Sequence, residues 1–352
     1  MKSGIATISL GSNKIHSSLF EKIRSIPDKP KIPLGNYLLD LISESDGKES
    51  SIYLKGIERF IKEIWTEMIN GNWKKLQTKK MIPKELGIHW ASIYAYKNGK
   101  KAISIQMMYK LLLLWKTYCR KKNEDVKKVW NKIYESDFTY SVHKGLQPTK
   151  LPRYLTPKLS YLIGWICGDG HMADYGNHYL VRMSEKSLHE LYLLKSLIKF
   201  LFDINPPIFQ IYEGGHALQF GNKPIFRFLT QILKIKVGEI PEIINKLDKV
   251  NKGYFLAGIF DSEGYVCKSR YRITISQANS EFLKKVIILA NDLGIEFRGP
   301  VTHRTDLGTW YSIRIDRKDE ILKFNNLIGT YHIDKSRRLK EKILQIYEDR
   351  YC

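Results

Sequence analysis

Two segments of the chain are apolar at nearly every position and then stop on an acid followed by a glycine. The first is LIGWICGDG, Leu162 to Gly170, and the second is LAGIFDSEG, Leu256 to Gly264. A helix that is apolar all round is a buried one, so both segments are expected as core helices. After each of them the pattern changes in the same order. HYLVRMS (178–184) and RYRITIS (270–276) alternate like half-buried strands, and helical periodicity follows at 187–202 and 280–293. Hairpins come next: IFQIY and HALQF flank EGG (213–215), and RGPVTHR and WYSIRI flank TDLG (305–308). KPIFRFLTQIL, with a further helix starting at PEIINKL, closes the first half, and a helix over 318–328 closes the second. Each half therefore reads α-β-β-α-β-β-α. A duplication of this length predicts two similar subdomains related by a pseudo-two-fold axis.

Before residue 144 the periodicity is helical. YLKGIERFIKEIWTEMI (53–69) sets Leu54, Ile57, Ile61, Ile64 and Met68 on one face, and QMMYKLLLLWKTYC (106–119) and DVKKVWNKIYES (125–136) predict two more helices. KMIPKELGIHWASIYAYKNGKK (80–101) resembles a helix-turn-helix. Gly87 would take the turn, with Ile82, Leu86, Ile88, Ile93 and Tyr96 facing inward and His89, Trp90, Ser92 and Tyr94 facing outward. Lys97, Lys100 and Lys101 would lie near phosphate. Pro83 stands where a small alanine is usual, and is expected to delay the start of the preceding helix. Three prolines in KGLQPTKLPRYLTPKLS (144–160) mark a linker. The expected organisation is an α+β chain: a mainly helical N-terminal region over 1–143, a linker over 144–158, and subdomains over 159–250 and 251–352.

Charge then narrows the partner. A formal net charge of +22, with both the N-terminal region and the remainder net basic, is costly in self-repulsion unless a polyanion offsets it. Nucleic acid is the expected polyanion; a plain lysine-rich solvated surface is the competing reading. No apolar run approaches the roughly 20 residues of a membrane span, so no membrane partner is expected. The four cysteines are scattered without zinc spacing, which fits a reduced compartment. A prokaryotic cytoplasm or nucleoid, or an organelle, is the expected location. A chain that opens Met-Lys and closes Tyr-Cys lacks a splicing-type His-Asn end, which argues against an intein.

The small residues and the acids supply the chemistry. Gly164 and Gly168 lie four apart on one helical face, and Gly258 and Ser262 repeat the spacing, so two helix backbones could approach closely. Gly170 and Gly264 are expected as left-handed caps. Packed in parallel, the helices would bring Asp169 and Glu263 together with the backbone carbonyls of Gly168 and Ser262, at the negative ends of two dipoles. A hard divalent cation would relieve that charge. Mg²⁺ is expected, with Mn²⁺ as the alternative. In a basic protein this points to phosphodiester hydrolysis.

The two nine-residue segments resemble the signatures of the LAGLIDADG homing endonucleases, in the single-chain branch with two motifs; the resemblance covers about 155–350. It implies that the motif helices form the subdomain interface and that two four-stranded antiparallel sheets straddle DNA as a saddle. The acid at position eight of each motif, Asp169 and Glu263, would bind the catalytic metal. Cys167 departs from the signature, which has aspartate at position six. The resemblance also implies one basic residue per half near the scissile phosphates. Lys335 in YHIDKSRRLKEKI and Lys236 in LKIKVGEIPEII match, with Lys234 a competitor for the latter and an ordinary solvated lysine the alternative for each. Strand alternation would turn Tyr271, Ile273 and Ile275 inward and Arg270, Arg272, Thr274 and Ser276 toward DNA. The same logic selects Arg182, Gln210, Gln219, Ser312 and Arg314. The expected activity is site-specific double-strand cleavage by a monomer, at a long site that is not strictly palindromic, leaving short overhangs. The alternatives are an intron maturase, with RNA as a partner, or a non-catalytic DNA-binding regulator on the same scaffold.

Overall fold

The computed structural model describes residues 24–42, 52–70, 75–142, 148–176, 178–212, 214–306 and 308–351. The first residues of the expected linker, 144–147, and the hairpin-turn residues Glu213 and Leu307 lie outside them.

The N-terminal part contains β1 (Ile32–Pro33), β2 (Ile52–Lys55), α1 (Glu58–Asn70), α2 (Lys75–Leu86), α3 (Trp90–Lys97), β3 (Ile103–Ser104), α4 (Ile105–Tyr118), α5 (Asn123–Glu135), β4 (Thr139–Val142) and β5 (Tyr154–Leu155). Its helices surround a small sheet of order β3-β2-β4 that the periodicity did not reveal. Leu54 and Ile57 suit a helical face and a strand end equally well. Gly56, at φ +98°, ends the strand before the helix begins, so the helix expected from 53 starts only at Glu58.

The first half follows as α6 (Pro157–Asp169), β6 (Gly170–Asp174), β7 (Tyr179–Glu185), α7 (Leu188–Phe202), β8 (Ile208–Tyr212), β9 (Gly215–Phe220) and α8 (Lys223–Arg227). The helix expected over 223–233 is α-helical only to Arg227 and continues as a π-turn, and the one expected at PEIINKL is a 3₁₀ turn. The second half is α9 (Lys249–Glu263), β10 (Gly264–Val266), β11 (Ile273–Gln277), α10 (Ser280–Asp292), β12 (Arg298–Thr305), β13 (Gly308–Ile315) and α11 (Lys318–Leu327), followed by α12 (Ile333–Tyr351). The order α-β-β-α-β-β-α thus occurs twice. The two antiparallel sheets match strand for strand, β6-β7-β9-β8 and β10-β11-β13-β12.

Helices α6 and α9 pack side by side at the centre. Each starts at a side-chain cap: Thr156 accepts from Leu159 N (3.3 Å), and Asp248 accepts from Asn251 N (3.0 Å). Their contact is backbone against backbone. A Cβ on Gly164 would stand 2.0 Å from Phe255 O, and one on Gly258 would stand 2.1 Å from Tyr161 O. One turn further on, a Cβ on Gly168 would stand 2.0 Å from Ser262 Oγ. Buried polar ties fix the register: Ser160 Oγ donates to Asn251 Oδ1 (3.1 Å), and Tyr161 OH donates to Asp261 Oδ2 (2.8 Å).

Gly170 and Gly264 are extended, not left-handed, with φ −77° and −87°. Each chain runs straight from helix into strand, so the glycine is needed for space. A Cβ on Gly170 would meet Ile166 O at 2.5 Å, and one on Gly264 would meet Phe260 O at 2.4 Å.

Residues 148–156, before α6, are packed and not a free linker. Thr149 exchanges backbone hydrogen bonds with Tyr140 (2.8 Å each way), β5 pairs with β1, and Pro157 and Lys158 already belong to α6. Residues 26–42 lie across both halves. Lys158 binds Ile26 O and Asp28 Oδ1 (2.8 Å), Asn251 Nδ2 donates to Pro30 O (3.4 Å), and Arg227 donates to Leu41 O (2.8 Å).

A methyl group at residue 164 must push one helix off the other. Gly164→Ala is expected to lower unfolding free energy in urea by at least about 2 kcal/mol, in the upper part of the range for overpacked cores. A loss below about 0.5 kcal/mol would contradict the close approach.

Candidate functional site

The C-terminal ends of α6 and α9 carry Asp169 and Glu263. They are near enough that the charge of Asp169 acts on Glu263. Glu263 is half-buried, and its carboxyl is pushed up to about 8, first by burial and then by Asp169; Lys335 and the hydrogen bond from Gln277 oppose the shift. Asp169 stands at the rim and reaches solvent. Its carboxyl is also raised, first by the protein closing around it and then by the charge of Glu185, against Lys335.

Gln277, at the end of β11, was not singled out by the sequence. Its amide donates to Glu263 Oε1 (2.9 Å) and across the interface to Gly168 O (3.0 Å). One of the two carbonyls expected as ligands is therefore already held by a donor, with a second lone pair left over. Ser262 uses its hydroxyl to donate to Ile259 O (3.0 Å).

Lys335 lies against the end of α9. Its Nζ donates to Phe260 O (3.0 Å) and Asp261 O (2.7 Å) and sits 5.6 Å from the centre of the Phe260 ring. It adds a second donor to Phe260 O, which already accepts from Gly264 N, and a donor to Asp261 O, at the negative end of the dipole. Burial lowers its pKa, opposed by Asp261, Glu185, Glu190 and Glu263. Lys236 is placed differently. Its side chain is 71% exposed and 3.5 Å from Glu239, on a loop whose Gly238 N donates to Cys167 O (2.8 Å). Lys234 is exposed, with φ +53°.

Position six of the motifs is occupied unequally. Cys167 is fully buried. Asp261 is buried too, and accepts from Tyr161 OH, Thr330 Oγ1 and Tyr331 N (2.8 Å). Nothing in the local pattern marks this hub, because its partners lie about a hundred residues back and about seventy ahead.

Ladder register separates the strand residues by face. Ile273, Ile275, Ile313 and Ile315 are buried against the helices, while Thr274 pairs with Arg314 and Ser276 with Ser312 on the other face. Arg182 pairs with Gln219 on the equivalent face of the first sheet, its Nη2 3.4 Å from Gln219 Oε1. Four residues expected on the DNA-facing strand surface are placed otherwise. Gln210 pairs with His216, two residues from buried Leu218, so it belongs to the helix-side set and is exposed only at the sheet's end. Arg270 precedes β11 and lies off the ladder, in a bend. Arg272 also precedes the strand and binds Asp316 (2.6 Å), the carboxylate that Arg314 approaches at 2.9 Å. Ser312 is buried, its Oγ 2.7 Å from His303 Nε2.

In the N-terminal part, α2 and α3 are joined at Gly87, φ +67°, with Gly87 N bonded to Lys84 O and Ile88 N to Pro83 O. Those two bonds form a Schellman closure. Pro83 does not delay the helix: α2 begins at Lys75 and carries the proline in its last turn. Ile82, Leu86 and Ile93 are buried, while Trp90 (61%) and Tyr94 (56%) are exposed. Lys100 and Lys101 are exposed, but Lys97 folds back over the Trp65 ring at 5.6 Å instead of facing outward.

Residues 251–329, from the first turn of α9 through α11, match the model of the LAGLIDADG-like domain. The second half of the repeat thus carries a LAGLIDADG-like domain. Over 271 residues it is 25% identical to the glutamine–fructose-6-phosphate aminotransferase of Methanocaldococcus jannaschii, covering 75% of this chain and 23% of that protein. An uncharacterized protein of the same organism is 28% identical over 239 residues, covering 61% of this chain and 79% of that one. A crystal structure of I-DmoI in complex with DNA and Mn is similar over 50% of this chain and 97% of that one, at 23% identity and TM-score 0.39. The chain thus spans less than a quarter of the length of the aminotransferase that it matches. Among the described residues, no helix is long and apolar enough to cross a membrane.

The raised carboxyl of Glu263 has a consequence for stability. An unfolded glutamate titrates near its ordinary value of about 4.3, so between about pH 4.5 and pH 8 the folded state binds more protons than the unfolded one. Metal-free protein is therefore expected to lose melting temperature relative to Glu263→Gln as pH rises through that window, with the difference constant below it. Parallel melting curves from about pH 5 to 8 would contradict this.

Proposed function

We propose that the chain is a site-specific homing endonuclease, cutting both strands of a long, not strictly palindromic DNA site as a monomer with the help of a divalent cation. The observation that carries the reading is the abutment of two helix C-termini, where the Gln277 amide joins Gly168 O to Glu263 Oε1 and so sets Asp169 beside Glu263. Lys335 opposes the charge of both acids only in part, since its Nζ is bonded to two carbonyls of α9. Among the described residues no three His, Cys, Asp or Glu side chains converge as a ligand set. Two carboxylates with water and phosphate oxygens are what Mg²⁺ takes, so the residues fit that cation, with Mn²⁺ an alternative. When bound, such an ion supplies Lewis acidity toward the scissile phosphate.

The chain's own residues supply position. Asp169 and Glu263 would each hold a divalent ion on its own side of the helix interface, Gln277 orients the Glu263 carboxylate, and Lys335 offsets the negative end of α9. The outer sheet faces would lie along DNA. Arg182 with Gln219 on one, and Thr274 with Arg314 on the other, occupy equivalent ladder positions with the arginine on opposite strands. Guanidinium and amide groups read base edges in the major groove, and unequal pairs favour unlike half-sites. Helices α2 and α3, helix-turn-helix-like, would present Trp90, Tyr94, Lys100 and Lys101 to flanking DNA. The activity of the matched aminotransferase is not carried over, since the shared stretch is under a quarter of that enzyme.

Full-length protein incubated with Mg²⁺ and a plasmid library of randomised sites is expected to linearise a rare subset, and EDTA to stop it. Asp169→Asn and Glu263→Gln are each expected to lower cutting at least about 100-fold while leaving binding to the selected site intact. Selection of a bound site that no divalent cation causes to be cut would favour a non-catalytic regulator instead.

A further inference from the structure

The ladders align the two halves residue by residue. Gly170, following Asp169, pairs with Met183, and Gly264, following Glu263, pairs with Ile275. Two residues beyond these partners stand Glu185 and Gln277, each at the end of the second strand of its half. They occupy equivalent positions and differ in chemistry. The amide of Gln277 clamps Glu263 and reaches Gly168 O across the interface. A carboxylate cannot donate such bonds. Glu185 Oε1 instead accepts from Lys186 N (2.7 Å) and Ser187 N (3.4 Å), and its charge bears on Asp169. The cation that both Glu185 and Asp169 face is Lys335, whose Nζ already serves two carbonyls.

We propose that Glu185 makes the cation site unequal, so that the Asp169 side, with a second negative charge and, among the described residues, no clamping donor, loads a divalent ion more tightly than the Glu263 side held by Gln277. This rests on the cation-binding reading above. Since no three such side chains converge among the described residues, Glu185 acts as a nearby charge and not as a third ligand. It is a positioning residue, and the two strands of DNA would be cut at different cation concentrations.

Mn²⁺ binding to the full-length protein, followed by electron paramagnetic resonance of the free ion at low salt, separates the possibilities. Wild type is expected to show a tight and a weak class. Glu185→Gln, whose amide oxygen can keep the bonds to Lys186 N and Ser187 N, should weaken the tight class roughly tenfold and leave the weak one unchanged, as loss of one unit charge nearby would do. Gln277→Glu should tighten the weak class instead, which a merely structural role for residue 185 would not foretell. Two classes indifferent to residue 185 would overturn the role of Glu185 alone. Absence of Mn²⁺ binding by wild type would overturn the cation site itself.

Discussion

The fold turns on the contact between α6 and α9, where backbone meets backbone at Gly164 and Gly258. A side chain at either position would hold the helices apart. Because they touch and run in parallel, their C-terminal ends coincide, and with them two acids. Everything else in the core of the two halves arranges itself around that contact. Asp261 and Tyr161 tie the helices where the apolar surface would otherwise let them slide. Residues 26–42 hold the opposite ends, through Lys158 and Asn251. Bringing two carboxylates together is electrostatically unfavourable without a counter-charge, and the fold holds that cost in place. Such a perturbed carboxyl marks a site more often than a scaffold.

Much of this was legible in the sequence because apolar periodicity switches between helical and strand spacing twice in one order. The paired glycines at four-residue spacing announced the close approach, and the acid ending each segment announced the site. Errors arose where one pattern served two structures. Leu54 and Ile57 fit helix and strand alike, and only the positive φ of Gly56 separates them. Gly170 and Gly264 sit where left-handed caps usually stand, yet the chain passes directly into a strand and uses the glycine for clearance. Pro83 suggested a late helix start, but its missing N–H is tolerated in the last turn of α2.

The polar layer around the acids was harder to read. Gln277 and Glu185 are equivalent only by ladder register, and the first hairpin is two residues longer, so a constant sequence offset misaligns them. Alternation alone chose the DNA-facing set, and it failed where the strand had not yet begun, at Arg270 and Arg272, or where pairing put the residue on the other face, at Gln210. Asp261 hid for a different reason: its role depends on Thr330 and Tyr331, which only the closing of the second half brings to it.

Residues 169 and 263 act on one another across the helix interface, and carbon-13 NMR titration of the Glu263 carboxyl tests that coupling most directly. In metal-free protein the midpoint should lie near 8. It should fall when Asp169 is replaced by asparagine, and again when Mg²⁺ saturates the site. A midpoint in the ordinary glutamate range, indifferent to residue 169, would contradict the account.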